Sequence, residues 1–170
     1  VETGVIADTS RIWWDLRPSA RYPTLETRLL DCCTRLDDAV RLAALNQCLL
    51  RMLFRLRQGN QRWRSYPALL VGENRWRAMR YSFDAGLLDL GRQRIVPFAE
   101  LLEEILALVR EDAIALGCEA EIDGLREIPR RGTSAHCQLR VYDEALAQGA
   151  SEQEALRKVV EWLVLETARS

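Results

Sequence analysis

Residues 12–31 read IWWDLRPSARYPTLETRLLD, and the rest of the chain is organised around them. Two runs rich in aromatic, β-branched and aliphatic residues, 12–17 and 24–29, flank the connection PSARYP. Strand-forming runs on either side of a proline-containing segment are typical of a β-hairpin. The stretch therefore predicts two antiparallel strands, over residues 12–17 and 24–31.

Alternation along the second strand places a carboxylate and a guanidinium on one face. Successive side chains of a strand point to opposite faces, so Glu26 and Arg28 share a face and Leu25 takes the other. A carboxylate can bind Mg²⁺, and an arginine fork can hold a phosphoryl oxygen. Asp15 and Arg17 repeat the spacing on the first strand. The hairpin predicts either a site for phosphate chemistry or a solvated face with cross-strand ion pairs.

Length and composition are those of one globular domain over residues 1–170. The 48% hydrophobic content is enough for a core, and a net charge of −1 gives no overall attraction to nucleic acid or to an anionic membrane. No apolar run reaches the length of a membrane span. Five cysteines without a C-x-x-C pattern, and the single histidine His136, argue against a zinc site and suit a reducing compartment. We therefore expect a cytoplasmic protein with no nucleic-acid or membrane partner.

The remaining chain predicts mostly α-helices, so the expected fold class is α+β. Apolar residues at three- and four-residue steps predict a long helix over residues 34–57. An irregular connection over 61–72 and a helix over 73–81 follow. Glycine turn signals make residues 87–96 a candidate second hairpin. Further helices are predicted over 98–117, from a cap at Thr133 or Ser134 to about Gly149, and after the capping box that begins at Ser151.

Two polar patterns in the helical part have alternative interpretations. Asn74, Arg77 and Tyr81 lie at i, i+3 and i+7 and share one helix face, which suits an anionic ligand or is simply solvated. The residues Gly132 and Thr133, which follow two arginines, open a helix. They predict either an anion site at the helix N-terminus or an ordinary junction between a loop and a helix.

Four motifs follow one another along the chain. They are WDLRPS (14–19), YPTLETR (22–28) with Asp31 behind it, ENRWRA (73–78) and RGTSA (131–135). In this order they closely resemble the carboxylate-amine ligases of the glutamate-cysteine ligase type 2 family. Each motif alone is weak, but their order across most of the chain is specific.

The resemblance implies an ATP-dependent ligase with a glutamine-synthetase-like fold, in which an antiparallel sheet curves into a funnel with helices outside. Members of the family activate the γ-carboxylate of glutamate as an acyl phosphate and pass it to an amine, usually that of cysteine. Carried over by position, Glu26 would bind Mg²⁺, Arg28 would contact the transferring phosphate of ATP, and Arg17 would help to hold an anionic ligand. Asn74 and Arg77 would be further cofactor-binding candidates near that cavity.

The sequence departs from the family in two places. The family's ligases carry a Glu-rich strand and further metal and ATP contacts before the hairpin, and this sequence has no equivalent, so the resemblance covers the C-terminal half only. His136-Cys137 stands where the family commonly has Asp-Arg. Because a two-stranded ribbon is marginal alone, we expect an N-terminal half or a separate partner chain to supply the missing strands. A homo-oligomer is a further expectation.

Three classes of function remain open from the sequence. The first is the C-terminal part of an ATP- and Mg²⁺-dependent ligase that joins glutamate to a small amine or amino acid. The second is a non-catalytic family member that acts as a binding or assembly subunit, which the missing half and the His136-Cys137 departure favour. The third is an arginine-rich nucleic-acid binder, against which the balanced charge argues; it would use Trp63 for stacking and Arg51, Arg55, Arg57, Arg62 and Arg64. No pattern in the sequence specifies the amine.

Overall fold

The computed structural model describes residues 4–169, apart from the side chain of Thr9. The chain divides into two compact units, Val1–Cys32 and Cys33–Ser170, while one domain over 1–170 stays a prediction. A short 3₁₀ turn precedes the strands and helices, which are β1 Leu16–Pro18, β2 Leu25–Thr27, α1 Leu36–Gln58, α2 Ala68–Tyr81, β3 Leu87–Asp89, β4 Arg94–Val96, α3 Phe98–Leu108, α4 Arg110–Leu116, α5 Glu119–Gly124, α6 Glu127–Arg131, α7 Ser134–Ala147 and α8 Glu152–Ala168. The α+β class is confirmed. Within the described residues, no helix has the length and apolar character needed to cross a bilayer.

The first unit is built on the predicted hairpin. β1 and β2 pair antiparallel with Arg17 opposite Glu26. One step beyond the strands, the N–H of Arg28 donates to the carbonyl of Asp15 at 2.7 Å. Both strands are shorter than predicted. Across the described residues each sheet has only two strands, so no third strand lies beside this pair to extend the ladder.

The core of the second unit forms where α1 meets α3, α4 and α5. The apolar stripe of α1 buries Ala44, Cys48 and Met52, as the 34–57 periodicity predicted. These residues pack in one cluster with Leu102, Leu106, Val109, Ala113, Ile122 and Leu125. The long helix therefore forms one side of the core, and the shorter helices close the other.

Helix boundaries differ from the prediction in three places. α2 begins at Ala68, inside the segment predicted to be irregular, because Pro67 has no backbone N–H to lose and can stand directly before the first turn. Val109, with φ −94° and ψ 3°, ends α3 and splits the predicted 98–117 helix. α6 occupies the predicted break at Pro129, since a proline is tolerated in the first turn of a helix.

The second hairpin is confirmed over β3 and β4, with Leu88 opposite Ile95. Gly86, just before β3, has φ +67°, and a Cβ there would lie 2.4 Å from the carbonyl oxygen of Val96. Only glycine permits this approach of the two backbones. The glycine signals therefore predicted the hairpin correctly. The close backbone contact, however, is at Gly86, at the open end of the hairpin and not at its turn.

A buried carboxylate fastens α4 to α1. The side chain of Asp112 is fully buried and accepts hydrogen bonds from Arg51 and, at 3.1 Å, from Arg55. Burial raises the pKa of Asp112, but the hydrogen bonds from Arg55 and Arg51 together outweigh it, so this pKa lies below its ordinary value. A carboxyl whose pKa is lowered by folding stabilises the fold above its unfolded-state pKa and loses that contribution as the pH falls through the native value.

Asp112→Asn is expected to lower the free energy of unfolding at pH 7 by about 2–3 kcal/mol. Removing one partner of a buried ion pair leaves charges unpaired, and the partial exposure of both arginines moderates the cost. Chemical denaturation of the two proteins measures the difference. Below the ordinary carboxyl pKa of 3.8, the wild type should lose this contribution and the two stabilities should converge.

The matched control is Glu111→Gln. Glu111 is adjacent to Asp112 and contacts Arg55 at 3.2 Å, but its side chain is 67% exposed. Its replacement should cost less than about 1 kcal/mol, because exposed ion pairs contribute little. Equal effects of the two substitutions would contradict the structural role given to Asp112.

Candidate functional site

Glu26 lies between two arginines on one face of the β1–β2 hairpin. Arg17 is directly opposite on β1, and its Nε donates to Oε2 of Glu26 at 3.0 Å while its Nη2 contacts the same oxygen. Arg28 lies two residues further along the chain, and its Nε is 3.6 Å from Oε1 of Glu26. The structure therefore brings together the three residues that the sequence predicted as the catalytic group.

Further contacts hold the two guanidinium groups in place. Nη1 of Arg17 donates to the carbonyl of Ser10 at 3.0 Å. The guanidinium carbon of Arg28 lies 4.7 Å from the ring centroid of Trp13, a cation–π contact. The side chain of Glu26 is 47% exposed, against 21% for Arg17 and 29% for Arg28. The carboxylate is accessible while both arginines are fixed.

This Arg17–Glu26–Arg28 cluster contains two guanidinium groups and one accessible carboxylate. Such a group can attract a polyphosphate and can supply one oxygen ligand to a divalent cation. Oε1 is the oxygen open to a metal ion, because its contact with Arg28 is longer than a hydrogen bond.

Mg²⁺ commonly binds one or two carboxylates and completes its octahedral shell with water and phosphate oxygens. Over the described part of the chain, no three His, Cys, Asp or Glu side chains come together as a metal site. Glu26 therefore fits as a single ligand to a phosphate-bound Mg²⁺. The other ligands would come from phosphate, water or polypeptide beyond the described residues.

Asn74 and Arg77 lie in the second unit, where they anchor α2 to the second hairpin. The side-chain amide of Asn74 donates to the carbonyl of Leu88 at 2.8 Å, and it accepts a hydrogen bond from the backbone N–H of Leu88 at 2.7 Å. Arg77 donates to the carbonyls of Ala85 and Gly86 at 2.9 and 3.3 Å. These contacts give the ENRWRA motif a structural role, and contact of either residue with nucleotide stays a prediction.

Sequence reasoning missed two features. One is Trp13, which packs on Arg28 although it was read only as a strand former. The other is a contact between Nε2 of His136 and Oδ2 of Asp84, at 3.2 Å, between residues 52 positions apart. Its one sequence signal was the single histidine of the chain, directly after the RGTSA motif. At the same junction, the predicted Thr133 cap of α7 is confirmed as a capping box with His136.

The comparisons with known proteins agree with the order of the motifs. A family model described as glutamate-cysteine ligase family 2 matches residues 1–161. Proteins named "Putative glutamate--cysteine ligase 2" are 59% identical over 167 residues in Rhodospirillum rubrum and 54% identical over 168 residues in Paracoccus denitrificans. A protein of the same name in Chloroflexus aurantiacus is 37% identical over 167 residues.

These alignments cover nearly all of this chain but a smaller share of each relative. The covered shares of this chain are 98%, 99% and 98%, and those of the three relatives are 43%, 45% and 41%. The chain therefore spans less than half the length of the curated relatives that it matches.

Asn74→Ala is expected to lower the free energy of unfolding by about 1–2 kcal/mol, because the backbone N–H and C=O of Leu88 each lose a hydrogen-bond partner. The amide of Leu88 should also exchange its hydrogen faster, which hydrogen–deuterium exchange measures. Glu73→Gln, one position earlier on the same helix, is the control. The side chain of Glu73 is half exposed and lies 4.0 Å from Arg77, so little change is expected. Unaltered protection of Leu88 in Asn74→Ala would refute the anchoring role.

Proposed function

This chain belongs to glutamate-cysteine ligase family 2, and from that membership we propose that it forms the C-terminal part of an ATP- and Mg²⁺-dependent ligase. The ligase joins the γ-carboxylate of glutamate to an amine such as that of cysteine. The observation that carries the proposal is the Arg17–Glu26–Arg28 cluster on the first hairpin. Because the relatives are more than twice as long, the activity is proposed for this chain together with polypeptide equivalent to the rest of their length.

The proposed reaction passes through an acyl phosphate. An oxygen of the γ-carboxylate of glutamate attacks the terminal phosphorus of ATP and displaces ADP; the amine then attacks the activated carbonyl carbon, loses a proton and displaces phosphate. Negative charge collects on the phosphoryl oxygens during the first step. Mg²⁺, when bound, would supply positive charge to offset part of it. In the proposed site Glu26 would supply a ligand to the metal ion, and Arg28 and Arg17 would neutralise charge on the phosphoryl group and the anionic substrate.

The fixed geometry of the two arginines supports this assignment. The carbonyl of Ser10 accepts a hydrogen bond from Arg17, and the ring of Trp13 packs on Arg28. Charges that are already in place stabilise a transition state without the cost of reorganising the site. Contact of Asn74 and Arg77 with nucleotide is a subordinate part of the proposal, because their polar atoms already bind the backbone of the second hairpin.

Apolar surface on the second unit supports the proposal that further polypeptide covers this chain. Leu156, Val160 and Val164 lie at i, i+4 and i+8 on α8, and each is more than half exposed. Apolar stripes of this kind usually mark an interface. We propose polypeptide equivalent to the uncovered part of the relatives as the occupant, with a second copy of this chain as the alternative.

Glu26→Gln is expected to reduce kcat by about 100-fold or more, because the loss of one preorganised charged group at a phosphoryl-transfer centre costs about that much. The assay follows ADP release and amide formation from glutamate with a panel of amines. The protein is purified from its own host, so that accompanying polypeptide is retained. The melting temperature should change little, because an exposed ion pair contributes at most about 1 kcal/mol.

Glu103→Gln is the matched control for this assay. Glu103 is also an exposed glutamate held by an arginine, with Nε of Arg126 at 2.6 Å from its Oε1, but it lies on α3, outside the cluster. Its kcat should equal that of the wild type. A Glu26→Gln variant with undiminished kcat would reject the role of Glu26. Failure of the wild-type preparation to bind Mg-ATP would instead favour a non-catalytic subunit.

A further inference from the structure

A cavity of about 470 Å³ lies where the second hairpin meets the start of α3 and α6. Its lining is mainly apolar and includes Phe83, Ile95, Phe98 and Pro129. Asp84 is the ionisable side chain in that lining. A concave, apolar site with a few placed polar groups is the usual form of a small-molecule site.

The aromatic wall of the cavity is held rigidly. Phe83 stacks against His136, with ring centroids 4.7 Å apart and planes at 17°, and lies 5.9 Å from the ring of Phe98. Ser82, the residue before Phe83, has φ +53°, a region that residues with a side chain seldom adopt. The backbone is therefore turned sharply at the position that presents Phe83 and Asp84.

His136 orients the carboxylate of Asp84. The N–H of Thr133 donates to Nδ1 of His136 at 3.2 Å, and the Thr133 hydroxyl lies 2.6 Å from the same nitrogen. Nε2, on the other side of the ring, lies 3.2 Å from Oδ2 of Asp84. The two contacts fix the imidazole, and the imidazole in turn orients the carboxylate at the cavity.

From this arrangement we propose that the cavity binds a small organic cation, with an ammonium group on Asp84 and a flat apolar body against Phe83 and Phe98. A charge-assisted hydrogen bond from an ammonium to a carboxylate is about twice as strong as a neutral one. Aromatic faces also attract cations. The side chain of Asp84 is 66% exposed, so its free oxygen is accessible to an ammonium group, and an anionic ligand would be repelled by it.

The probe for this site is 2-phenylethylamine, added without ATP or glutamate so that the result is independent of the ligase assay. Calorimetry and amide NMR of the full chain should show saturable binding with a Kd of about 1 mM, with shifts centred on residues 83–86. Phenylacetate, which has the same ring and the opposite charge, should not bind. Methylamine lacks the ring and should bind about tenfold more weakly or worse.

Asp84→Asn should weaken the binding of 2-phenylethylamine about tenfold, because the charge-assisted bond becomes a neutral one. The matched control is Asp123→Asn, at a half-exposed aspartate on α5 that pairs with Arg110 and Arg126 and does not line the cavity. Its affinity should equal that of the wild type.

His136→Gln tests whether His136 positions Asp84 for binding or only stabilises the fold. A glutamine at the third position of α7 can keep the capping contact with Thr133, so the melting temperature should stay within about 3 °C. The affinity for the probe should nevertheless fall about threefold, because Asp84 loses the group that orients it. A fall in melting temperature without a change in affinity would contradict the positioning role.

Three results would overturn the cation site itself. They are the absence of saturable binding of 2-phenylethylamine to the wild type, equal binding of phenylacetate, and unchanged affinity in a folded Asp84→Asn variant. If that variant does not fold, the comparison of the two probes on the wild type decides the matter alone.

Discussion

A carboxylate held by two arginines occurs in both units of this chain, and it is the constraint that joins α1 to α4 in the second. In the first unit Arg17 and Arg28 flank Glu26, and in the second Arg51 and Arg55 hold Asp112. Arginine suits this use because its planar fork reaches carboxylate oxygens in fixed directions. The two clusters have the same chemistry, but their surroundings give them different consequences.

Burial decides which cluster is structural. The side chain of Asp112 is fully buried, so breaking its pairs costs about 2–3 kcal/mol even though both arginines are partly exposed. Glu26 is half exposed, and an exposed pair contributes only about 0–1 kcal/mol. A ligand that takes over one oxygen of Glu26 therefore disturbs the fold very little. The first cluster is suited to exchange partners, and the second is suited to hold α1 and α4 together.

The sequence predicted what depends on local pattern and failed where distant residues decide. The period of two placed Glu26 and Arg28 on one face, and the period of 3.6 identified α1. The ends of β1 and β2 could not be predicted, because strand length depends on whether a neighbouring strand is present. The burial of Asp112 was equally hidden, since the break at Val109 starts a new helix and so determines which side of α4 faces α1.

For the site residues, too, local pattern was predictable and contacts between distant residues were not. The predicted hairpin brings the strand of Arg17 beside that of Glu26, and the register of β1 with β2 places the two residues opposite each other; the role of Arg17 in the site stays a prediction. Asn74 and Arg77 were correctly placed on a common helix face, but the pattern does not reveal that this face meets the backbone of a second hairpin. The contact between Asp84 and His136 could not be predicted from the single histidine alone, since it joins residues 52 positions apart through the fold.

The neighbours of each carboxylate then separate the ligands that the two proposed sites can take. Two guanidinium groups flank Glu26, and their N–H donors suit phosphate oxygens with a metal ion. Asp84 has an imidazole beside it and lies in a mainly apolar lining, which suits a cation with an apolar body. A carboxylate is present in both sites, so its own chemistry cannot account for the difference. The groups around the carboxylate do, because guanidinium donors can pass to phosphate whereas an apolar wall cannot.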